Sequence, residues 1–199
     1  VELTIRNGKK ILYQDFGEMM FTHKGITGPL VLSASSSIGK QLKKQGTLEG
    51  YIDLKPALSS EQLDERILRE FENAKNKQFK NVIGVLFPSS LTPVIIRLGG
   101  IPDDKVIHEI SREERLNFVS IIKAFPFTID GLGGYSEAVI TKGGISVKEI
   151  NPGTMESKKI PQLYFAGEVL DLDAVTGGYN LQIAWSTGYL AGMAVSENI

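Results

Sequence analysis

The chain has 199 residues, with 22 Lys and Arg against 23 Asp and Glu, for a net charge of −1. Hydrophobic residues at 42% and charged residues at 23% are ordinary for a globular protein, which excludes low-complexity, collagen-like and disordered classes. Charge this even argues against a nucleic-acid partner, and no apolar run approaches the ~18 residues of a membrane-spanning helix, so neither nucleic acid nor membrane is expected as a partner. The absence of Cys excludes disulfides, thiolate metal sites and cysteine nucleophiles, and fits a cytoplasmic protein.

Val1 opens on what reads as a strand already under way, so a piece of a longer protein is expected. Leu3 and Ile5 alternate on one face, Asn7-Gly8 follows as a hairpin signal, and Ile11, Tyr13 and Phe16 continue as a second strand. Glu18 to Thr22 adds another strand. Gly28-Pro29 opens a buried helix from Pro29 to Lys43, because proline costs nothing in a first helical turn. Thr47 to Leu54 returns as a strand.

The middle of the chain is different. Residues 56–125 hold 20 charged residues and only 3 Gly, against 12 and 11 in residues 126–199, so the middle reads as helical and the end as short strands and tight turns. Ser59 or Ser60 caps a helix from Glu61 to about Asn73, with Leu63, Ile67, Leu68 and Phe71 as its apolar stripe. Two shorter helices are expected near Phe79–Leu86 and Leu91–Leu98. Ser111-Arg112-Glu113-Glu114 has the pattern of a capping box and starts a helix to Lys123. Phe127–Asp130, Glu137–Thr141, Ile145–Val147 and Leu163–Ala166 read as brief strands. A final helix runs from Tyr179 to Val195, where Gly188 and Gly192 are expected to pack closely and Trp185 to lie in the core.

Several chemistries find no footing in the sequence. His23 and His108 are the only histidines and stand far apart, so no histidine-rich metal site is expected. No G-x-S-x-G elbow and no phosphate-binding G-x-x-x-x-G-K-[ST] loop is present, and Gly131-Leu132-Gly133-Gly134-Tyr135-Ser136 lacks the third glycine of a dinucleotide fingerprint. His23 is open to two readings, an acid–base group or a partner of a backbone carbonyl.

The informative stretch is Leu163 to Gln182. A brief apolar strand ends at Gly167, Glu168 and Asp171 follow as acceptors for sugar-like hydroxyls, and Gly177-Gly178 precedes the last helix. The free N–H groups at such a helix start can meet an electron-rich oxygen or a developing anion. A plain strand–loop–helix connection with a capping acid is the competing reading.

This stretch resembles the C-terminal flavin-binding segment of two-dinucleotide-type flavoproteins. With Gly17 to Pro29 and Ala138 to Ile145, it makes the chain similar to the family of NAD(P)/FAD-dependent oxidoreductases typified by aminoacetone oxidase-like flavoproteins. The resemblance implies an α+β architecture: a β-barrel-like substrate-side part (residues 1–55 and 126–150), an inserted small helical bundle (56–125), and a strand–loop–helix segment of the FAD domain (151–199). It implies FAD as cofactor. Gly167, Glu168 and Asp171 would stand beside the ribityl chain. Gly177, Gly178, Tyr179, Asn180 and Leu181 would lie along the flavin pyrimidine edge, and Thr141, Gly143 and Gly144 near the ring. No catalytic side chain is assigned. The expected activity is hydride transfer from a small substrate, such as an amine, to flavin. The N-terminal half of the FAD domain, with its pyrophosphate turn, is missing, so this piece alone is expected to be inactive, to bind FAD weakly or not at all, and to associate with that half or with itself. A flavin-free structural fragment is the alternative.

Overall fold

The structure is a computed structural model that describes residues 1–197. In chain order its strands and α-helices are β1 (Glu2–Asn7), β2 (Lys10–Phe16), β3 (Met20–Phe21), β4 (Ile26–Thr27), α1 (Pro29–Gln45), β5 (Leu48–Asp53), α2 (Ser60–Glu72), α3 (Thr92–Gly99), α4 (Arg112–Lys123), β6 (Phe125–Ile129) and α5 (Tyr179–Glu197). Contacts divide the chain into two compact units. Unit 1 is Val1–Glu18 with Thr47–Ile129; unit 2 is Met19–Gly46 with the chain from Asp130 on.

In unit 1, β1 and β2 form the expected hairpin, one residue out of the expected frame. Asn7 pairs with Lys10, so the two-residue loop is Gly8-Lys9, and only Gly8 takes a positive φ, 56°. β5 pairs with β1 and β6 with β5, all antiparallel, in the order β2-β1-β5-β6. β2 and β6 are the sheet's edges. The barrel-like part implied by resemblance is therefore an open sheet among the described residues, because small barrels need about five strands to close and this sheet has four. β6 starts at Phe125, ahead of the expected Phe127. Pro126 is tolerated there because an edge strand need not donate every N–H. A Cβ on Gly50 would collide with the ring of Phe127, its partner across the β5–β6 pair, so the bare glycine seats that ring.

The helical half of unit 1 is built on local capping. Gln62 N–H donates to Ser59 Oγ (3.2 Å) and Ser59 N–H to Gln62 Oε1 (2.9 Å), starting α2. Glu114 N–H donates to Ser111 Oγ (3.2 Å) and Ser111 N–H to Glu114 Oε2 (2.8 Å), starting α4. Each box satisfies two donors that the first turn leaves unpaired. Leu63, Ile67 and Phe71 from α2 and Phe118, Val119 and Ile122 from α4 are buried. Phe79 stands edge-on to Phe71 and Phe118, with centroids 6.2 and 5.1 Å apart. Gly99 ends α3 against the face of Phe118. Burying each such side chain stabilises the fold by about 1.5–3 kcal/mol. The helix expected near Phe79–Leu86 is instead two 3₁₀ turns, Phe79–Asn81 and Ile83–Leu86.

In unit 2, β3 and β4 form a two-residue-deep hairpin that leads into α1. Leu30, Ala34, Ile38 and Leu42 recur every four residues and form the buried stripe of that helix. The strands expected at Glu137–Thr141, Ile145–Val147 and Leu163–Ala166 do not form; only single bridges appear, Ile145 to Leu170, Ile150 to Ser157 and Glu156 to Tyr164. Ile150, Met155 and Leu170 make a small core, with Ile145, Phe165, Leu190 and Ala191 packed on it. α5 is apolar on all sides yet buries only Thr187 and Ala194. Trp185, expected in the core, is 65% exposed, and apart from adjacent residues and the helix's own backbone no heavy atom lies within 4 Å of where a Cβ on Gly188 or Gly192 would stand. The close packing expected of those glycines is absent from the described structure. No helix among the described residues is long and apolar enough to cross a membrane.

Candidate functional site

The segments singled out in the sequence meet in unit 2. The first is a tight turn. Thr22 N–H donates to the Gly25 carbonyl (2.7 Å), and Thr22 Oγ1 accepts from the backbone N–H groups of Lys24 and Gly25 (3.3 and 3.2 Å). His23 stands exposed at its tip. The Lys24 ammonium donates to the Glu137 carboxylate, which ties this turn to the second segment.

The second segment joins the third through main chain. Ile145 N–H donates to the Val169 carbonyl (2.8 Å), and Asp171 N–H donates to the Ile145 carbonyl (2.9 Å). Gly144 makes this approach possible. Its φ is 138°, and a Cβ there would collide with the Val169 carbonyl oxygen.

Side chains complete the join. Lys142 Nζ donates to the Ser36 carbonyl and to Ser36 Oγ (3.1 Å each) and to Asp173 Oδ2 (3.2 Å). Ser36 Oγ also donates to Asp173 Oδ2. Burial pushes the Asp173 carboxyl up, but the Ser36 hydroxyl and the Lys142 ammonium outweigh it and hold it below the usual aspartate value. One turn back on α1, the Ser33 hydroxyl donates to Pro29 O (3.0 Å) and lies 3.3 Å from Thr176 Oγ1, which is then the donor of that pair. Asn180 takes both a hydrogen bond from Ala174 N–H and gives one to Ala174 O (2.9 Å each). The loop from Asp173 to Gly178 is thus fastened to α1 at two points and to the start of α5 at a third.

The residues expected at the site fall as follows. Gly167 (φ 71°) begins a 3₁₀ turn and its N–H donates to Thr187 Oγ1 on α5 (2.9 Å). Glu168 and Asp171 are exposed on either side of buried Leu170. Gly177 (φ 122°) and Gly178 (φ 89°) are exposed where α5 starts, followed by exposed Tyr179 and Leu181; Asn180 is spent on the loop. Thr141 and Gly143 are exposed beside Lys142, and open space surrounds the Cβ positions of Gly143 and Gly178. Sequence reasoning passed over Ser33, Ser36, Asp173 and Thr176 and did not single out Lys142. The available signal was the run Ser35-Ser36-Ser37 inside a helix, where serine is a weak former.

Chemically, this corner offers two kinds of group. The first-turn N–H groups of α5 have no acceptor within the helix and carry its positive dipole end. Glu168 and Asp171 offer carboxylate acceptors. Such donors can meet an electron-rich ring edge and such acceptors can take sugar-like hydroxyls, and open space stands at the Cβ positions of Gly143 and Gly178. No cluster of three or more His, Cys, Asp or Glu that could hold a metal occurs among the described residues.

Residues 1–140 match the family described as "HI0933-like protein barrel and H2TH domain", and the chain belongs to that family. It is 36% identical over 182 residues to a ribosomal RNA dihydrouridine synthase of Haemophilus influenzae, covering 92% of this chain and 43% of that protein. It is 31% identical over 190 residues to a 3-dehydro-bile acid delta(4,6)-reductase of Clostridium scindens, covering 96% and 46%. A ribosomal RNA dihydrouridine synthase of Escherichia coli is 34% identical over 172 residues, covering 86% and 40%. The chain therefore spans less than half the length of these relatives. Relation to oxidoreductases is carried by the reductase; none of the three is named an aminoacetone oxidase.

Proposed function

We propose that this chain is part of an FAD-dependent reductase that saturates a carbon–carbon double bond conjugated to a carbonyl. The supporting observation is the corner where Gly143-Gly144, Gly167-Glu168 and Gly177-Gly178 are drawn together on α1 and α5. The relatives' names support the reaction class. Dihydrouridine is uridine with its ring double bond reduced, and a 3-dehydro-delta(4,6) steroid carries double bonds in conjugation with its ketone. In both, hydride adds at a carbon made electrophilic by a carbonyl, and a proton goes to a carbon next along the conjugated system. Amine oxidation by flavin, the direction first expected from the sequence, is the reverse use of the same cofactor.

FAD, when bound and reduced, would supply the hydride. This chain's residues would do the rest of the holding. The N–H groups at Gly178, Tyr179 and Leu181 would meet the ring's pyrimidine edge and favour negative charge there. Glu168 and Asp171 would accept from ribityl hydroxyls, and Thr141, Gly143 and Gly144 would line the approach to the ring. Lys142, Asp173 and Ser36 would keep the Asp173–Gly178 loop in one place, so that the donors are aimed before any ligand arrives. The exposed apolar face of α5 supports a further part of the reading: the rest of the FAD domain, which the longer relatives have room for, would cover Leu181, Trp185 and Tyr189.

The test uses the protein from the complete reading frame. Its flavin, reduced without oxygen, should reoxidise when a conjugated enone or a uridine-containing RNA is added, and not when the saturated compound is added. Flavin that reoxidises with neither substrate, or protein that cannot be loaded with FAD, would end this proposal.

A further inference from the structure

The whole-chain balance of charge conceals one lopsided stretch. From Asn73 to Pro102 there is no Asp or Glu, while Lys75, Lys77, Lys80 and Arg97 are all exposed. This stretch lies in unit 1, where it forms α3 and the two 3₁₀ turns before it. Between the second 3₁₀ turn, α3 and the Gly100–Asp103 loop runs a groove of about 840 Å³. Its floor is apolar, with Ile96 9% and Ile101 3% exposed, and Pro93 and Pro102 beside them. Lys80 and Arg97 line it. Arg97 makes no hydrogen bond or ion pair among the described residues; Lys80 has Asp103, the one acid of the lining, at 3.7 Å. Gly84 and Gly100 also line the groove, and open space surrounds their Cβ positions, so a ligand's backbone can come close to the main chain.

We infer that this groove docks the sugar–phosphate backbone of an RNA strand. The inference rests on the reductase reading above and names the substrate class within it. Two features favour a polyanion over a single small anion. Cations stand both in the groove lining, Lys80 and Arg97, and outside it in the same acid-free stretch, Lys75 and Lys77, and the lining also holds Ile96, Ile101, Pro93 and Pro102, on which a base face can rest while phosphates meet the cations. Lys80 and Asp103 are each about half exposed, so their pair is weak and a phosphate can take the lysine over. Two of the relatives act, by name, on ribosomal RNA.

Binding needs no flavin, so it can be read on the chain itself, by fluorescence anisotropy of a labelled oligouridylate and of a labelled hairpin RNA. Lys80→Glu with Arg97→Glu should weaken binding about tenfold or more and lower the slope of log affinity against log salt by about two. Asp103→Asn should tighten it. Lys9→Glu with Lys10→Glu, on the β1–β2 turn, makes the same change in charge elsewhere and should cost far less; far-ultraviolet circular dichroism checks that each variant folds. Absence of RNA binding, or equal losses in the two double variants, would overturn the inference. So would cholate, an amphipathic monoanion, binding in an Arg97-dependent way while RNA binding does not depend on Arg97. RNA binding that survives where flavin chemistry fails would keep this groove and remove the reductase; the converse would do the opposite.

Discussion

In unit 1, Leu3, Ile5, Leu63, Ile67, Phe79 and Phe118 are shielded almost completely, and of the large apolar side chains only Ile11, Phe16, Val85, Leu98 and Leu116 are exposed. In unit 2 the proportions reverse. Tyr135 is 91% exposed, and Val139, Val175, Leu181, Trp185 and Tyr189 all lie out, while apolar burial is confined to the stripe Leu30, Ala34, Ile38 and Leu42 of α1, the small cluster Ile150, Met155 and Leu170, and Ala194 on α5. One unit closes on itself by burial. The other buries less, is tied across its glycine-rich turns by hydrogen bonds and ion pairs, and leaves much of its apolar surface exposed. On α5, Leu181, Trp185 and Tyr189 stand four residues apart on one exposed face, and an apolar face of that kind marks a surface made for something else. The candidate flavin corner belongs to the second unit, which is where a site built from loops on a sparse core is expected.

The sharpest test of this contrast is a large-to-small change in each unit. Phe118→Ala removes the ring that Phe79 and Gly99 pack against and should cost about 3–5 kcal/mol in urea unfolding. Tyr189→Ala, on the exposed face of α5, should cost under about 0.5 kcal/mol. Equal costs would mean that α5 is packed after all and that the two units are not built differently.

How much of this could be read beforehand follows the same division. The helix cap at Ser59 or Ser60 and the capping box at Ser111 were legible because all their partners lie within four residues, and the hairpin at Gly8 because its turn is local; the full box at Ser59 came only with the structure. The strands expected at Glu137–Thr141 and Leu163–Ala166 failed because a strand exists only by its neighbours, and there each finds at most a single bridge. Trp185, Gly188 and Gly192 misled for a related reason. A helix that is apolar all round reads as buried, whether or not a partner is present to bury it. At the site, the glycine and acid corner was visible as a local pattern. The Lys142–Ser36–Asp173 anchor was not, since Ser36 stands 106 positions from Lys142 and 137 from Asp173.

That anchor gives the second test. Asp173→Ala leaves Lys142 and Ser36 without their shared acceptor and frees one of the fastenings of the 173–178 loop. Hydrogen bonds to a charged group are worth about 1.5–3 kcal/mol, so the loss should be of that order, smaller than that of Phe118→Ala. Amide exchange should speed up in residues 174–182 and stay unchanged in α2 and α4. Exchange that rises everywhere would show that unit 2 is not an independent body of hydrogen bonds.

Acid should separate the units more gently. In unit 1 the Lys105 ammonium and the Ser111 N–H hold the Glu114 carboxyl down to about 2, from an ordinary 4.5. In unit 2 Ser36 and Lys142 lower Asp173. A depressed carboxyl contributes stability that is complete above its unfolded value and is lost as pH falls through its folded one. Both contributions should therefore hold at neutral pH and fade on acidification, Glu114's between about 4.5 and about 2. Glu114→Gln keeps a residue that can complete the capping box but removes the charge, so it should flatten the acid limb of the urea midpoint while leaving α4 helical. An unchanged acid limb would mean that the Lys105 pair does not persist in solution.

The smallest expected effect bears on the uncommitted face. Trp185→Ser replaces an exposed indole with a hydroxyl, so the stability of the chain should move by less than about 0.5 kcal/mol. Its consequence should appear in association instead. If the face of α5 is meant for the remainder of an FAD domain, the chain on its own will bury it where it can, and sedimentation should show concentration-dependent self-association that Trp185→Ser reduces. In the complete protein the same substitution would then sit inside an interface and cost more than it does in the chain alone, with flavin retention falling as the two parts loosen. A cost that is equally small in both settings would leave the face with no partner. The exposed apolar side chains of unit 2 would then need a different explanation from the one that places a flavin beside them.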